Sequence, residues 1–314
     1  MKKPLIVIAG PTACGKTESS VLLAKKINGE IISADSMQVY KYMDIGTAKI
    51  KEDETMGIKH YLIDEFYPDE DFSIAVFKEK ATQYIKEIQA KGKTPILVGG
   101  TGFYINSVIY NTDFSKTIKD DIYRKKLEKI AIDKGNDFLH NMLKKVDEKS
   151  ALSIHKNNTK KIIRALEYYK LTGDTISNHN EKEKQKEKAY DTTFFVLNMD
   201  RDKLYERINL RVDIMINNGL VSEIKSLLEK GYNKNMVSMQ GIGYKEIINY
   251  LEGQYSLDYA IEIIKRDTRH FAKRQLTWFK HQTEDAIWID TKSFENSDIL
   301  SNYMKDLFLQ TKAK

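Results

Sequence analysis

Short apolar runs, each bounded by glycine or polar residues, recur along the chain. Six of them lie at residues 4–9, 30–34, 60–63, 95–98, 193–199 and 286–289. Apolar positions at the helical period separate several of these runs, as in residues 73–91, where the apolar side chains fall on one face. Strands that alternate with helices are typical of a parallel sheet, so the pattern predicts an α/β fold.

A central segment interrupts this alternation. From about residue 114 to residue 180 the strand signals vanish, and amphipathic helical patterns replace them at residues 120–134, 137–145 and 158–171. The run 181–188 alternates glutamate, lysine and glutamine without an apolar face, which predicts an exposed helix end or a linker back to the sheet. The last third predicts further helices at residues 201–219, 240–251 and 257–281. We therefore predict a core formed by residues 1–113 and 190–314, with an all-helical subdomain, residues 114–189, inserted into it.

Composition narrows the class of protein. Of the 314 residues, 41% are hydrophobic and 31% are charged, the balance of a soluble globular protein. No run approaches the roughly 18 apolar residues of a membrane span, and the first run stops at Gly10, too early for a signal peptide. Cys14 is the only cysteine, which excludes an internal disulfide and a cysteine-based zinc cluster. We expect a cytoplasmic protein without a membrane partner.

The net charge of +6 is unevenly distributed. Residues 1–115 carry 14 basic and 15 acidic side chains, residues 116–170 carry 15 and 8, and residues 171–314 carry 22 of each. A second local excess lies in residues 265–282, with six basic side chains against one acidic. Two basic patches on a balanced protein indicate a polyanionic partner larger than a nucleotide. For either patch alone, a solvated helix face remains the alternative.

Residues 10–17 match the phosphate-binding pattern G-x-x-x-x-G-K-[ST] without a mismatch. The block consists of Gly10, Pro11, Thr12, Ala13, Cys14, Gly15, Lys16 and Thr17. It follows a predicted strand and precedes a predicted helix, the context that the motif requires. Its backbone N–H groups and Lys16 would surround a phosphate group, and Thr17 would hold Mg2+. A glycine-rich turn without a ligand is the less favoured alternative.

The P-loop leaves the reaction open. An ATP-dependent enzyme usually has a second buried strand that ends in aspartate and holds the metal, but here the run 95–98 ends in Gly99-Gly100-Thr101-Gly102. The strand-end acid is Asp35, which closes the run 30–34. At the carboxyl end of a parallel strand it is expected to face the ligand crevice. The alternative is that Asp35 caps a following helix.

Six blocks together resemble one family. They are residues 10–17 (GPTACGKT), 35–40 (DSMQVY), 43–49 (MDIGTAK), 97–102 (LVGGTG), 240–245 (QGIGYK) and 273–279 (KRQLTWF). In this order they resemble the bacterial tRNA isopentenyltransferases, the IPP transferase or tRNA dimethylallyltransferase family. The resemblance spans nearly the whole chain and implies a P-loop NTPase-like core flanked by helices.

This resemblance implies a specific reaction. A dimethylallyl group would pass from dimethylallyl diphosphate to the exocyclic 6-amino group of the adenosine 3′ of the anticodon, tRNA position 37, in tRNAs that read codons beginning with U. The products would be dimethylallyladenosine and diphosphate. The P-loop would then bind the diphosphate ester rather than hydrolyse ATP, with Mg2+ as cofactor. The implied partner is the anticodon stem-loop of tRNA, and a monomer is the default.

The resemblance also implies residue roles. Asp35 would be the general base, Thr101 would lie near the reacting groups, and Arg211 would stabilise the leaving diphosphate. Arg207, one helical turn before Arg211, would share that charge, although both arginines also fit surface salt bridges. Contacts with tRNA would come from Asp35, Ser36, Met37, Gln38, Thr101, Arg124, Lys160, Lys161, Ile162, Ile163, Arg164, Gln240, Gly241, Tyr244, Lys245, Lys273, Arg274, Gln275 and Trp278.

Three other functions remain open on the residues alone. A small-molecule kinase would share the P-loop, but it is disfavoured by the missing strand-end aspartate and by the basic insertion. A prenyltransferase acting on free adenine nucleotides would need neither basic patch. An RNA-binding protein without catalysis would leave Asp35 and Thr101 without a purpose. Trp278 and Phe279 fit either stacking on bases or ordinary core packing.

Overall fold

A parallel sheet lies at the centre of the computed structural model, which describes residues 2–114, 120–283 and 285–312. Its strands are β1 (Pro4–Ala9), β2 (Gly29–Ser33), β3 (His60–Tyr61), β4 (Thr94–Gly99), β5 (Asp191–Asn198) and β6 (Ile287–Asp290). They are arranged in the order β3-β2-β4-β1-β5-β6, and every pair is parallel. Each of the six apolar runs forms one strand, so the predicted α/β fold with a parallel sheet is confirmed.

Helices make up most of the described chain outside the sheet. They are α1 (Lys16–Lys26), α2 (Ile74–Ala90), α3 (Gly102–Ile109), α4 (Asp121–Lys134), α5 (Asn136–Val146), α6 (Glu148–Ser153), α7 (Thr159–Thr172), α8 (Ile176–Lys184), α9 (Arg201–Asn217), α10 (Leu220–Glu229), α11 (Tyr244–Leu251), α12 (Leu257–Gln282) and α13 (Ser297–Lys312). Sequence reasoning missed α3, α6, α10 and α13. In the described part of the chain, no helix is long and apolar enough to cross a bilayer.

The chain divides into two compact units. The catalytic unit comprises Met1–Ile109 and Ala189–Lys314, and the helical unit comprises Tyr110–Lys188. The predicted subdomain, residues 114–189, occupies nearly the same stretch as the helical unit, and its residues 115–119 lie outside the described ranges. The helical unit has its own core, with Leu127, Leu139 and Leu143 fully buried.

The core of the catalytic unit explains why the strands could be found from the sequence. Strand β1 lies inside the sheet, and its residues Leu5 to Ala9 are fully buried. A strand covered on both faces must be apolar throughout, and this produces a continuous run rather than an alternation. The carboxyl ends of β1, β2 and β4 lie side by side, and the loops that leave them build the site.

Candidate active site

Residues 10–17 join β1 to α1 and form a tight cradle. Gly10 and Gly15 have φ angles of +145° and +92°, in the region that favours glycine. A Cβ atom on Gly10 would lie 2.3 Å from the carbonyl oxygen of Leu197, so a larger residue does not fit there. The amino group of Lys16 donates to the carbonyl oxygens of Gly10 (3.0 Å) and Pro11 (2.6 Å). A cation and a helix N-terminus thus lie in one loop, an arrangement suited to a phosphate ester.

Gln275 of α12 holds this loop in place through hydrogen bonds of its side-chain amide. The Thr12 N–H donates to Gln275 Oε1 (3.0 Å), and Gln275 Nε2 donates to the carbonyl oxygen of Gly100 (2.9 Å). The side chain is buried, and a Cβ atom on Gly100 would lie 2.1 Å from Nε2. Gln275 was expected to contact tRNA, but the structure places its amide between two loops of the protein. It holds the P-loop against the turn that follows β4.

Asp35 and Thr101 leave neighbouring strands. The Ala34 N–H donates to Val98 O (2.7 Å), and the Thr101 N–H donates to Ala34 O (3.3 Å), so the ends of β2 and β4 are joined. One oxygen of Asp35 accepts from the Met37 N–H at 2.9 Å. No helix follows Asp35 in the described residues 36–52, so the alternative role as a helix cap is wrong. Both side chains enter the same cavity.

The cavity has a volume of about 370 Å³, within the range of small-ligand sites. It brings together several expected site residues: Thr12, Asp35, Ser36, Met37, Thr101, Arg211, Gln240, Gly241, Tyr244 and Arg274. Apolar side chains of α9 and α12 complete the lining: Ile208, Val212, Met215, Ile264 and Phe271. One side of the cavity therefore suits an anion, and another suits a hydrocarbon chain or a flat base.

Two arginines one turn apart on α9 have different surroundings. Arg211 lines the cavity and is half-buried, whereas Arg207 is exposed. Burial lowers the pKa of the Arg211 guanidinium, and the negative charge of Asp35 opposes that effect. Because the ordinary value is so high, Arg211 remains a cation. The structure thus places a permanent positive charge inside the cavity, where Asp35 also lies.

The block Met-Asp-Ile-Gly-Thr-Ala-Lys forms one wall of the cavity. The amino group of Lys49 is 2.5 Å from carboxylate oxygens of both Asp44 and Asp64, and its side chain is nearly buried. Gly46 lies against the ring of Tyr244, where a Cβ atom would be 2.5 Å from the ring. The motif therefore encodes a folded loop rather than a row of ligand contacts.

Helix α12 presents several expected RNA contacts. Lys273 and Arg274 are exposed, and Arg274 also lines the cavity. Phe279 is fully buried and packs edge-on against Phe194, so core packing explains it and stacking on RNA does not. Trp278 is half-buried against Gly102, where a Cβ atom would lie 2.1 Å from the indole.

Three other expected RNA contacts of the catalytic unit differ in exposure. Gln38 is half-buried: its Oε1 accepts from the Ser33 hydroxyl (3.2 Å), and its Nε2 donates to the carbonyl of Thr47 (3.3 Å). Gln240 is exposed and donates to the carbonyl of Lys234. Lys245 is half-buried and pairs with the carboxylate of Glu246 at 3.3 Å.

The helical unit carries the remaining expected RNA contacts. Lys160, Lys161 and Arg164 are exposed on α7, whereas Ile162 and Ile163 are buried in the core of the unit. Arg124 donates from Nε and Nη2 to the two carboxylate oxygens of Glu167 (2.7 and 2.6 Å). From the stretch 160–164, only the three basic side chains are therefore available to phosphates, while Arg124 has a structural partner.

A family model described as IPP transferase matches residues 38–282. The chain belongs to the IPP transferase family. The resemblance drawn from the six sequence blocks is thereby confirmed, and the match includes Thr101, Arg211 and the whole helical unit. The P-loop and Asp35 precede the matched residues.

Individual IPP transferases show how far the similarity extends. The tRNA dimethylallyltransferase of Acetivibrio thermocellus is 55% identical over 301 residues, 96% of each chain. The crystal structure of the full-length tRNA isopentenylpyrophosphate transferase of Bacillus halodurans matches with a TM-score of 0.72, 43% identity and coverage of 99% of both chains. A eukaryotic dimethylallyltransferase, described in snapshots of its action on tRNA, matches with a TM-score of 0.84 at 31% identity, covering 98% of this chain and 80% of the other.

Proposed function

We propose that this chain is a tRNA dimethylallyltransferase. It transfers the dimethylallyl group of dimethylallyl diphosphate to the 6-amino group of the adenosine 3′ of the anticodon, in tRNAs that read codons beginning with U. The observation that supports this proposal most directly is that Asp35, Thr101 and Arg211 line the same cavity as Thr12 of the P-loop. It offers a carboxylate that can accept a proton and a guanidinium that can stabilise a leaving anion in the same cavity.

The anion-binding groups of the site stabilise the leaving diphosphate. As the allylic C–O bond breaks, negative charge grows on the diphosphate oxygens and positive charge on the allyl carbon. Backbone N–H groups of the P-loop other than that of Thr12, the Lys16 ammonium and the Arg211 guanidinium stabilise the first of these charges. Removal of one such preorganised donor typically costs about 3 kcal/mol of barrier. Arg207 adds a weaker, solvent-screened contribution because it is exposed.

Mg2+ would be held at the start of α1, where the P-loop ends. Within the described ranges, no group of three or more His, Cys, Asp or Glu side chains is placed to hold a metal. Mg2+ is commonly held by few protein ligands together with substrate phosphates and waters. The hydroxyl of Thr17, exposed in the first turn of α1, would hold it together with the diphosphate. Bound there, Mg2+ would neutralise charge on the leaving diphosphate.

The other side serves the acceptor. The lone pair of an adenine amine is delocalised into the ring, so the amine needs help to attack. Asp35 accepts the amine proton as the new N–C bond forms, and such general-base help is worth roughly 100-fold to 10,000-fold. Thr101, beside Asp35, contacts the base. Because the cavity is sunk between loops, the base must leave its stack to enter.

Basic side chains provide the contact with the RNA backbone. Lys273 and Arg274 of the catalytic unit are exposed, as are Lys160, Lys161 and Arg164 of the helical unit. Phosphate contacts of this kind supply affinity without reading sequence. We expect the enzyme to act in the cytoplasm as a monomer.

One assay tests the reaction. The protein is incubated with labelled dimethylallyl diphosphate, Mg2+ and either deproteinised tRNA or free adenine nucleotides, and the labelled product is identified. Label is expected in tRNA, on the adenosine 3′ of the anticodon. Label in mononucleotides alone would indicate the free-nucleotide prenyltransferase, and no label in either would overturn the proposal.

A further inference from the structure

Glu223, in the first turn of α10, makes an unusual set of hydrogen bonds. Its carboxylate accepts from the backbone N–H groups of Asp44 (2.9 Å), Ile45 (2.6 Å) and Gly46 (3.1 Å). It also accepts from the hydroxyl of Tyr244 at 2.7 Å. Three consecutive N–H groups and a phenol thus converge on one side chain. No sequence motif pointed to Glu223.

The groups that Glu223 holds belong to two separate loops of the cavity. Gly46 lies in the loop after β2, and Tyr244 begins α11, yet both line the cavity. The Gly46 backbone is in contact with the Tyr244 ring, and this contact requires both loops to keep their positions. Lys49 ties the far end of the first loop to Asp64. Glu223 therefore joins the first loop to the second by hydrogen bonds.

The two loops joined by Glu223 form one wall of the cavity, called here the uncharged wall, and its chemistry differs from that of the phosphate side. Gly46, Thr47 and the stretch from Gly241 to Tyr244 line the cavity without a charged side chain. Such a surface does not suit a diphosphate, but it suits a flat heterocycle. The phosphate side is held separately, by Gln275. Displacement of the uncharged wall should therefore affect the acceptor and leave the allylic diphosphate in place.

We propose that Glu223 is a positioning residue for the acceptor base. Its carboxylate fixes the uncharged wall of the cavity and so sets the distance between the bound adenine and Asp35. This role rests on the proposed prenyl transfer to tRNA. Glu223 itself acts through Gly46 and Tyr244 and does not contact the reacting atoms.

Glu223→Gln tests the role because it keeps the shape of the side chain and replaces one of its two acceptor oxygens by an NH2 group. The amide retains one acceptor oxygen, but its NH2 group faces N–H donors and leaves them unpaired. The matched control is Glu229→Gln, the same change at an exposed position on the same helix. Two quantities are measured: hydrogen exchange of the amides of residues 44–46, and steady-state kinetics with each substrate varied.

For Glu223→Gln we expect exchange at residues 44–46 to accelerate about tenfold or more, and kcat/KM for tRNA to fall about 10–100-fold. The KM for dimethylallyl diphosphate should stay within about twofold, and Glu229→Gln should match the wild type in every measurement. Unchanged exchange, or an equal rise in both KM values, would overturn the role.

Two further arrangements keep the test decisive. If Glu223→Gln does not fold, Glu223→Asp keeps the charge and shortens the reach by one methylene, so its amides should exchange faster than those of the wild type. Unchanged exchange in Glu223→Asp would again overturn the role. Failure of the proposed function is distinguishable, because the wild type would then label no tRNA while the exchange measurement still reports on Glu223.

Discussion

Polar side chains that make several hydrogen bonds have different roles in the two units. In the catalytic unit, Gln275 and Glu223 each bind backbone groups of loops at the edge of the sheet. In the helical unit, Glu167 binds Arg124, and Asp147 caps α6 and also accepts from the Ser177 N–H (3.1 Å). The first set shapes a cavity, and the second holds helices to one another.

The difference predicts what a substitution in each unit will change. In the catalytic unit, Gln275 and Glu223 hold the loops that line the cavity, so changes there should appear in kcat and in individual KM values. In the helical unit the buried carboxylates bind groups of the same unit, and Lys160, Lys161 and Arg164 are exposed to solvent. Changes there should appear in salt-dependent RNA affinity or in stability, with the chemistry intact.

The largest effect is expected from Asp35→Asn in the catalytic unit. The variant loses the proton acceptor but keeps the size of the side chain, so kcat should fall between about 100-fold and 10,000-fold. Affinity for tRNA, measured by filter binding, should change little. Asp258→Asn, at an exposed position of α12, serves as control. An Asp35→Asn variant with normal turnover would remove Asp35 from the mechanism.

Reversal of charge on α7 should affect affinity instead. Lys160→Glu, Lys161→Glu and Arg164→Glu together should weaken tRNA binding on the order of 10–100-fold and flatten its dependence on salt, because fewer counterions are released. Binding is measured from low to moderate salt.

A control separates position from net charge. Lys25→Glu, Lys86→Glu and Lys225→Glu change the charge equally at exposed sites of the catalytic unit. They should alter the salt slope less. If both triple variants behave alike, only the overall charge matters and the face of α7 has no special part.

Gln275→Leu should produce a smaller and more selective effect. The Thr12 N–H and the Gly100 carbonyl lose their common partner, so the P-loop loosens and the KM for dimethylallyl diphosphate should rise about tenfold. Affinity for tRNA should stay near that of the wild type, as should every parameter of Gln254→Leu, an exposed control. A selective loss of tRNA affinity would instead return Gln275 to the RNA interface.

The smallest effect concerns the stability of the helical unit. Burial alone would raise the pKa of Glu167, but hydrogen bonds from Arg124 and the Asp120 N–H lower it below its usual 4.5. A lowered carboxyl pKa stabilises the fold above that value and loses its effect as pH falls through the folded pKa. Glu167→Gln should therefore lower Tm by a few degrees at neutral pH and by less in acid. Equal losses at both pH values, or the same loss in the exposed Glu181→Gln, would contradict this reading.

Local patterns explain what the sequence predicted well. Buried strands such as β1 are apolar throughout and could be recognised as continuous apolar runs. Helices α2 and α7 place their apolar side chains on one face, so the helical period was visible in the sequence. Helix α3 was missed because five of its eight residues are buried and no polar face marks its period. The helix predicted for residues 240–251 begins only at Tyr244, because Gly243 has a φ angle of +97°.

The site was predictable where one short motif holds the chemistry. The P-loop and Asp35 lie within a few residues of a strand end, so topology alone places them. Gln275 and Glu223 act on residues far away in the sequence, and their partners are backbone groups that any residue supplies. A buried amide in a basic helix resembles an RNA contact, and a glutamate in a first helical turn resembles a solvated charge. Only the folded chain distinguishes these cases.

The helical unit also has an evolutionary consequence, which follows from where it joins the core. The Ala189 N–H donates to the Ile109 carbonyl at 2.7 Å, so the end of α3 and the residues just before β5 meet at one hydrogen-bonded pair. Because the entropic cost of closing a loop grows slowly with its length, inserted segments of different lengths between these two residues would differ little in the cost of closure. Such a junction would let the inserted unit diverge in sequence or length between members of the family while the core keeps its fold.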